Sequence, residues 1–381
     1  MLRYDFIERD GESNLASVMK NGKWGVVKQE NGKEKTIIPI KYDEKPITDR
    51  DLIFVYEEDH QKVYNHNGLQ IIKQDCYQVD IIQGNKLLVS DKNKNKAIYD
   101  KEGNLLVPYN ERIVYINDDL IFVSKDGKWG VINIQNEVKL PFEYDQFSFY
   151  SDELFICTKD GLQGVIDYDL KEVLPIKYTS IKINYWYIVA TIKEECILFK
   201  HSGKKVLTQS GYDALIPIDK HVILLRNKDK FGAIILGKTV FETVIIPCEY
   251  LHIYRNDDVF AVRGKNNKWG IMDMSGKMLS TCKYDSIGDF REGYTAVTRN
   301  GMKGYINKQG KYATKIKYED CRRIGDSEYV KVKLNGRWAL AELDGKELTK
   351  FIYDHIAGFT DDTHIEVLYD GYWGEISVKN N

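Results

Sequence analysis

A tyrosine followed at once by an aspartate recurs at regular intervals, at Tyr4-Asp5, Tyr42-Asp43, Tyr144-Asp145, Tyr212-Asp213, Tyr284-Asp285 and Tyr353-Asp354, besides three copies elsewhere. A phenol beside a carboxylate is a pair able to pass a proton. Seven histidines and six cysteines add candidates for nucleophilic or metal chemistry. None of them falls into the pattern such chemistry needs. The histidines (His60, His66, His201, His221, His252, His355, His364) include no H-E-x-x-H and no i, i+4 helical pair. The cysteines (Cys76, Cys157, Cys196, Cys248, Cys282, Cys321) form no C-x-x-C and are too widely spaced for a zinc knuckle or a disulfide framework, which predicts reduced, mostly buried thiols. G-x-x-x-x-G-K-[ST], a strand–G-x-G-x-x-G–helix unit and G-x-S-x-G are absent. HSGKK from His201 and MSGKM from Met274 look phosphate-binding, but they fall where sister segments carry NGK or QGK turns. No catalytic residue, metal site or cofactor is therefore expected, and the chain is not read as an enzyme.

The elements that would position these residues repeat. Gly-Lys-Trp-Gly at 22–25 returns as GKWG at 127–130, NKWG at 267–270, GRWA at 336–339 and GYWG at 371–374, with weaker copies between. Aligned, a Gly slot holds Gly25, Lys62, Ala97, Gly130, Gly164, Ile197, Gly232, Gly270, Gly304, Ala339 and Gly374, spaced by about 35 residues. Seven or eight residues before it stands an apolar column that includes Val18, Val55, Val123, Cys157 and Val367. A further apolar residue two places earlier makes the alternation of a half-buried strand. A second short strand follows the Gly slot, as in Val26-Val27. Segments such as TIIPIKYDE and KLPFEYDQ supply a third, and the stretch after each Tyr (QFSFYSD, SIKINYW) could supply a short fourth. Asn-Gly at 21 and 31 are hairpin turn signals. The strictest column is Tyr4, Tyr42, Tyr77, Tyr109, Tyr144, Tyr178, Tyr212, Tyr250, Tyr284, Tyr318 and Tyr353.

A residue identical in eleven units serves what every unit needs, so the Tyr is expected inside. The Asp after it accepts turn N–H bonds rather than running acid–base chemistry. The Trp column (Trp24, Trp129, Trp269, Trp338, Trp373) likewise reads as packing beside a backbone kept bare for close approach, not as a ligand platform.

With GKWGV, the IPIKYDE and LPFEYDQ segments and this spacing, the whole of 1–381 resembles the bacterial WG-repeat family, also called KWG repeats. The resemblance implies a β-repeat fold without a common enzymatic activity and a binding or scaffolding role. The expected fold is all-β: about eleven antiparallel units of about 35 residues in one continuous domain, 1–381, forming an open, twisted solenoid-like stack, with a β-propeller as the alternative.

Composition narrows the partners. Fifty-five basic against 57 acidic side chains leave a net charge of −2, and 43% of residues are apolar. No overall field attracts nucleic acid or an anionic membrane. The basic DKNKNK at 91–96 and the hairpin lysines (Lys20, Lys23, Lys125, Lys128, Lys268, Lys303) are the only hint of phosphate contact, and nucleic acid is not expected. The charged start MLRYDFIERDGESN and the lack of an 18-residue apolar run point to a cytoplasmic, non-membrane protein. One place departs from the repeat. In NYWYIV, Trp186 is the sole tryptophan outside the Trp-Gly slot and is flanked by Tyr185 and Tyr187, which marks these three as the candidate binding residues. The expected function is protein–protein interaction or scaffolding, an inhibitor-like binder included. The alternative is carbohydrate or small-ligand binding through those aromatics.

Overall fold

The computed structural model describes residues 3–11, 14–30, 32–151, 153–237 and 243–378. Within them forty strands and one 3-10 turn, Gln83–Asn85, form eleven antiparallel sheets, numbered here in chain order, none of them closed into a barrel. The chain divides into two compact units. Met1–Ser180 carries sheets 1 to 5, and Ile181–Asn381 carries sheets 6 to 11.

Each sheet is an up-and-down meander that opens just after one column Tyr and closes at the next. Sheet 4 shows the plan: Arg112–Asn117, Leu120–Lys125, Lys128–Ile132 and Val138–Tyr144 pair in sequence order. The segment after the Tyr is thus a regular first strand in every sheet, and the three-stranded unit becomes four-stranded. It lies at the edge of its sheet and buries little: Phe6–Arg9 is exposed at all four positions, and Gln78–Ile82 and Ala214–Pro217 each bury one residue. In sheets 2, 9 and 10 the outer, fourth strand breaks down to isolated bridges such as Gln61↔Cys76, Lys303↔Tyr318 and Trp338↔Tyr353.

Between the second and third strands lie two-residue turns. Asn21-Gly22, Asp126-Gly127, Asp160-Gly161, Asn300-Gly301, Asn335-Gly336 and Asp370-Gly371 have positive φ at both residues. That is the turn whose twist matches the strands it joins. The other turn signal begins at Asn31, which lies outside the described residues.

The Gly slot sets the register of the outer strand. In sheet 1 Trp24 faces Tyr42 while Val26 faces Ile38, so four residue steps on the outer strand span two on its partner. The same offset recurs over Gly130, Gly164, Gly232 and Gly270. Over Ala97 the offset shrinks to one extra residue, Lys96↔Asn110 and Ile98↔Val107. Over Ile197 it vanishes, Cys196↔Gln209 and Leu198↔Leu207. The physical cause is contact. A Cβ on Gly25 would stand 2.7 Å from the Ile38 carbonyl oxygen and 2.8 Å from the Ile40 Cα, and one on Gly130 would stand 2.9 Å from the Leu140 oxygen. The arch in the outer strand thus presses on bare backbone at these glycines; over Ile197 it is flat, while over Ala339 and Lys62 it persists, with the Leu348 and Ile71 N–H groups donating to the Leu340 and Val63 carbonyls.

The column tyrosines lie inward as expected. Tyr4, Tyr42, Tyr144, Tyr178, Tyr284 and Tyr318 are buried and the other five are half-buried. The column slips by one residue in sheet 2, where Cys76, fully buried, faces Gln61 and Tyr77 instead packs on His60 at 4.6 Å.

The core is divided among neighbours. In the first unit, clusters join sheet 1 to 2 (Val26, Ile38, Tyr42, Ile53, Val55), 2 to 3, 3 to 4 (Ile98, Val107, Ile121, Val123) and 4 to 5 (Phe122, Phe147, Phe155). In the second, they join each sheet from 6 to 11 to the next. A single meander cannot bury both faces alone, so each borrows its core from the next.

Candidate functional site

The turns between first and second strands bring the departures from the repeat together. In sheet 6, Ser180–Ile183 and Ile188–Ile192 flank the turn at 184–187. The Asn184 side-chain oxygen accepts N–H bonds from Trp186 and Tyr187, both at 2.9 Å, which folds the turn back on itself. Its amide donates to the Pro217 carbonyl at 3.0 Å, and the Tyr187 hydroxyl donates to the Lys220 carbonyl at 2.7 Å. These two bonds clamp the tip of sheet 6 to that of sheet 7.

Of the three candidate residues, the structure separates one from the other two. Tyr187 is buried and serves the clamp, and burial raises its phenol pKa. Tyr185 is 80% exposed and Trp186 39% exposed, with rings 4.6 Å apart and nearly perpendicular at 86°. Ile216 and Ile218, on the neighbouring tip of sheet 7, are also exposed. The result is an aromatic and aliphatic patch held on clamped hairpins. The same turns of the first unit bear a second aromatic tip that sequence reading missed. Phe149 and Tyr150 in sheet 5 are exposed, with Phe149 edge-on to Phe122 at 5.0 Å. Their signal was the run FSFY, present in the sequence but read as a possible strand alone.

Further tip-to-tip bonds continue along the second unit. Asp219 accepts N–H bonds from His221 and Val222 and pairs with Arg255. Burial opposes its ionisation, but these donors outweigh it and hold the carboxyl below its ordinary pKa. Asn256 donates to the Gly288 carbonyl at 2.9 Å, and Arg323 reaches Glu292 at 2.7 Å. Between the tips of sheets 9 and 10 lies a cavity of about 510 Å³ lined by Arg291, Arg322, Arg323, Tyr294, Tyr305 and Cys321. Arg323 is already engaged by the Ser327 and Asp326 carbonyls, and Arg322 by Asp320.

On the opposite turns, four lysines of the basic row and one arginine are held in ion pairs. Lys23 pairs with Asp43 at 2.5 Å, Lys128 with Asp145 at 2.5 Å and Lys303 with Asp320 at 2.8 Å, while Lys268 pairs with Asp285 and Arg337 with Asp354. The Asp after the Tyr also caps the hairpin of the next sheet: Asp145 accepts from the Gly161 N–H at 3.4 Å and Asp213 from the Lys228 N–H at 2.5 Å. One carboxylate therefore joins two successive sheets, so the Tyr-Asp pair works as a fastener. The Lys128 bond is the main cause holding the Asp145 carboxyl below its usual pKa. A depressed folded-state value means stability present above the ordinary carboxylate range and lost as pH falls through it. Asp145→Asn is accordingly expected to lower the melting temperature by a few degrees at pH 7. The gap to the parent chain should begin to narrow below about pH 4 and go on shrinking as the pH falls toward the depressed folded-state value, as a series of thermal melts would record.

All six cysteines are free thiols. Burial raises the pKa of Cys76 and Cys157 to about 11 and that of Cys321 to about 12, far from the range of a neutral-pH nucleophile. Among the described residues no three His, Cys, Asp or Glu side chains converge in a way that could hold a metal ion. Among the described residues no helix is long and apolar enough to cross a membrane.

A family model described as "WG containing repeat" matches residues 2–24, 98–129, 129–162, 269–302 and 304–338. These five stretches of the chain are WG repeats. The matched segments of this WG-repeat chain run through sheets 1, 3 to 5 and 8 to 10. No curated protein matches it. Solved structures similar to it include Kluyveromyces lactis Hsv2p (11% identity, 63% of this chain, 94% of that chain, TM-score 0.25). BamB from Moraxella catarrhalis is another (12%, 78%, 93%, 0.26). The extracellular domain of the hybrid two component system BT3049 from B. thetaiotaomicron is a third (10%, 97%, 63%, 0.26), and the chain spans just under two thirds of its length. Likenesses of this degree carry no argument about function.

Proposed function

We propose that this WG-repeat chain is a non-catalytic interaction module, 1–381 acting as one continuous array, whose first-to-second-strand turns bind a protein partner in the cytoplasm. The observation that carries the reading is the exposed patch of Tyr185, Trp186, Ile216 and Ile218 on tips already clamped by Asn184 and Tyr187. Exposed rings on a rigid scaffold suit a protein hot spot, because little side-chain entropy remains to be lost on binding. The perpendicular rings of Tyr185 and Trp186 offer no flat, coplanar platform, which favours a protein over a stacked sugar.

The test is co-purification from native lysate. One stoichiometric partner is expected with the parent chain and none with the Tyr185→Ala, Trp186→Ala double variant, whose thermal melt must still show a folded chain because Trp186 is only 39% exposed. Equal recovery of the partner by the double variant would refute the assignment of this patch.

A further inference from the structure

Successive sheets are tied by charge at a fixed place in the repeat. The residue before the column Tyr and the last residue of the next sheet's second strand are Lys41 and Glu57 between sheets 1 and 2, and Glu143 and Lys159 between sheets 4 and 5, paired at 2.7 and 2.9 Å. Between sheets 8 and 9 the same two places hold Lys283 and Arg299, so like charges stand where sister sheets carry opposite ones. A second carboxylate is replaced beside them. In sheet 10 Glu347 forms the bridge Ala341↔Glu347 and joins the Lys317 ammonium at 2.8 Å to the Tyr318 hydroxyl at 2.9 Å. Glu34 serves Arg3 and the Tyr4 hydroxyl in the same way, at 3.1 and 2.5 Å. In sheet 9 the matching bridge is Ile306↔Tyr312, which puts a phenol where sheet 10 has its acid. The Lys283 Nζ lies 5.3 Å from the centre of the Tyr284 ring and 5.2 Å from that of Tyr312. Burial opposes ionisation of the Tyr312 phenol, but the Lys283 and Arg299 charges outweigh it and bring its pKa below the ordinary tyrosine value. Arg299, Asn300, Met302, Tyr312, Lys315 and Ile316 line a cavity of about 390 Å³, with no carboxylate among these lining residues. Asp285 and Glu347 are taken by Lys268 and Lys317. Among the described residues none of Lys283, Arg299 and Lys315 is in ion-pair contact with a carboxylate.

We propose that this cavity binds a small aryl phosphate monoester, its phosphoryl oxygens among Lys283, Arg299 and Lys315 and its ring against Tyr312, Met302 and Ile316. The charge count selects the anion. Two carboxylates of the sister sheets are replaced here, by Arg299 and by Tyr312, and a phosphate monoester carries about −1.5 to −2 at pH 7 with three acceptor oxygens for three cationic donors. A single carboxylate offsets only one of those charges. The wall selects the rest of the ligand: Tyr312 is 50% exposed and Met302 39%, and an aromatic ring packs well on a thioether and a phenol. The volume is of the size that small-molecule sites have.

Calorimetric titration of the full chain with phenyl phosphate, inorganic phosphate and benzoate tests it. Phenyl phosphate is expected to bind several-fold more tightly than either of the others, with an affinity that falls as salt is raised. Arg299→Glu restores the pairing seen at Lys41 and Glu57, so it should weaken phenyl phosphate at least tenfold while thermal melts show the fold retained. Tyr312→Glu, which copies Glu347, should weaken it likewise. In the parent chain the phenol carbon resonance of Tyr312, identified by its loss in Tyr312→Phe, should titrate at higher pH once phenyl phosphate is bound, because the phosphate offsets the cations that lower it. No heat and no movement of that resonance at millimolar phenyl phosphate would overturn the inference. So would undiminished binding by Arg299→Glu, or inorganic phosphate binding as tightly as phenyl phosphate. Partner capture through Tyr185 and Trp186 should be the same in Arg299→Glu, so the two readings fail separately.

Discussion

Gly232→Ala, a single methyl group, is expected to cost about 3 kcal/mol of unfolding free energy in denaturant titrations of the intact chain. The added Cβ would lie 2.3 Å from the Ile246 oxygen, 2.8 Å from the Pro247 carbonyl carbon and 2.9 Å from the Cys248 nitrogen. All three are backbone atoms, so relief requires the arch to flatten, as it does over Ile197. Flattening shortens the path needed by the outer strand and leaves residues over, which moves Tyr250 out of register with Phe231. Helical or strand propensity does not account for a loss of this size, because alanine is no worse than glycine in an extended strand. The paired control is Gly374→Ala, where an added Cβ meets nothing within 4 Å, expected within about 0.5 kcal/mol of the parent. A loss at Gly232 no larger than at Gly374 would show that the slot does not govern the arch.

Tyr284→Ala should cost about 3–5 kcal/mol by the same measurement, the range for emptying a fully buried aromatic site. Tyr284 has no exposed surface and packs between sheets 8 and 9 with Val259, Ile271, Val297 and Ile306. Tyr284→Phe separates the ring from the hydroxyl. The Ser280 hydroxyl donates to the phenol oxygen at 3.2 Å, a buried bond worth about 1 kcal/mol, so the Phe variant should retain most of the stability. A Phe variant as damaged as the Ala variant would place the importance of the column in its hydroxyl rather than its ring.

The features legible in the sequence are those enforced by local geometry. Asn21-Gly22 and Asp126-Gly127 needed positive φ at both positions and showed it. Gly25 and Gly130 needed bare backbone, and the column tyrosines needed a core. The first strands were only partly legible: Phe6–Arg9 is exposed throughout, and its counterparts are short and carry at most two buried residues each, such as Val79, Ile113, Ile181 and Leu215, too few to mark an alternation. The one-residue slip at Tyr77 was invisible because Lys62 replaces the slot glycine, and the outer strand there is reduced to bridges whose spacing no pattern constrains. At the candidate site the sequence marked Tyr185, Trp186 and Tyr187 alike. Their fates differ because Asn184 turns the chain so that the third ring points to Lys220, a contact 33 residues away. The fate of the lysines had a usable signal: Lys128 to Asp145, Lys268 to Asp285, Lys303 to Asp320 and Arg337 to Asp354 share a separation of 17. Opposite charges at constant separation in a β-repeat are partners, and pairing of this kind is written in the sequence as plainly as the turns.

Because the outer strand carries two, one or no extra residues over different slots, length can change at the rim of a meander while the strands beneath keep their pairing. Foreign loops grafted at Pro141 or Pro175, the crests over Gly130 and Gly164, should therefore be accommodated as further bowing of a segment already detached from the ladder. Such crests make this scaffold a natural place to display sequence without renegotiating its interior.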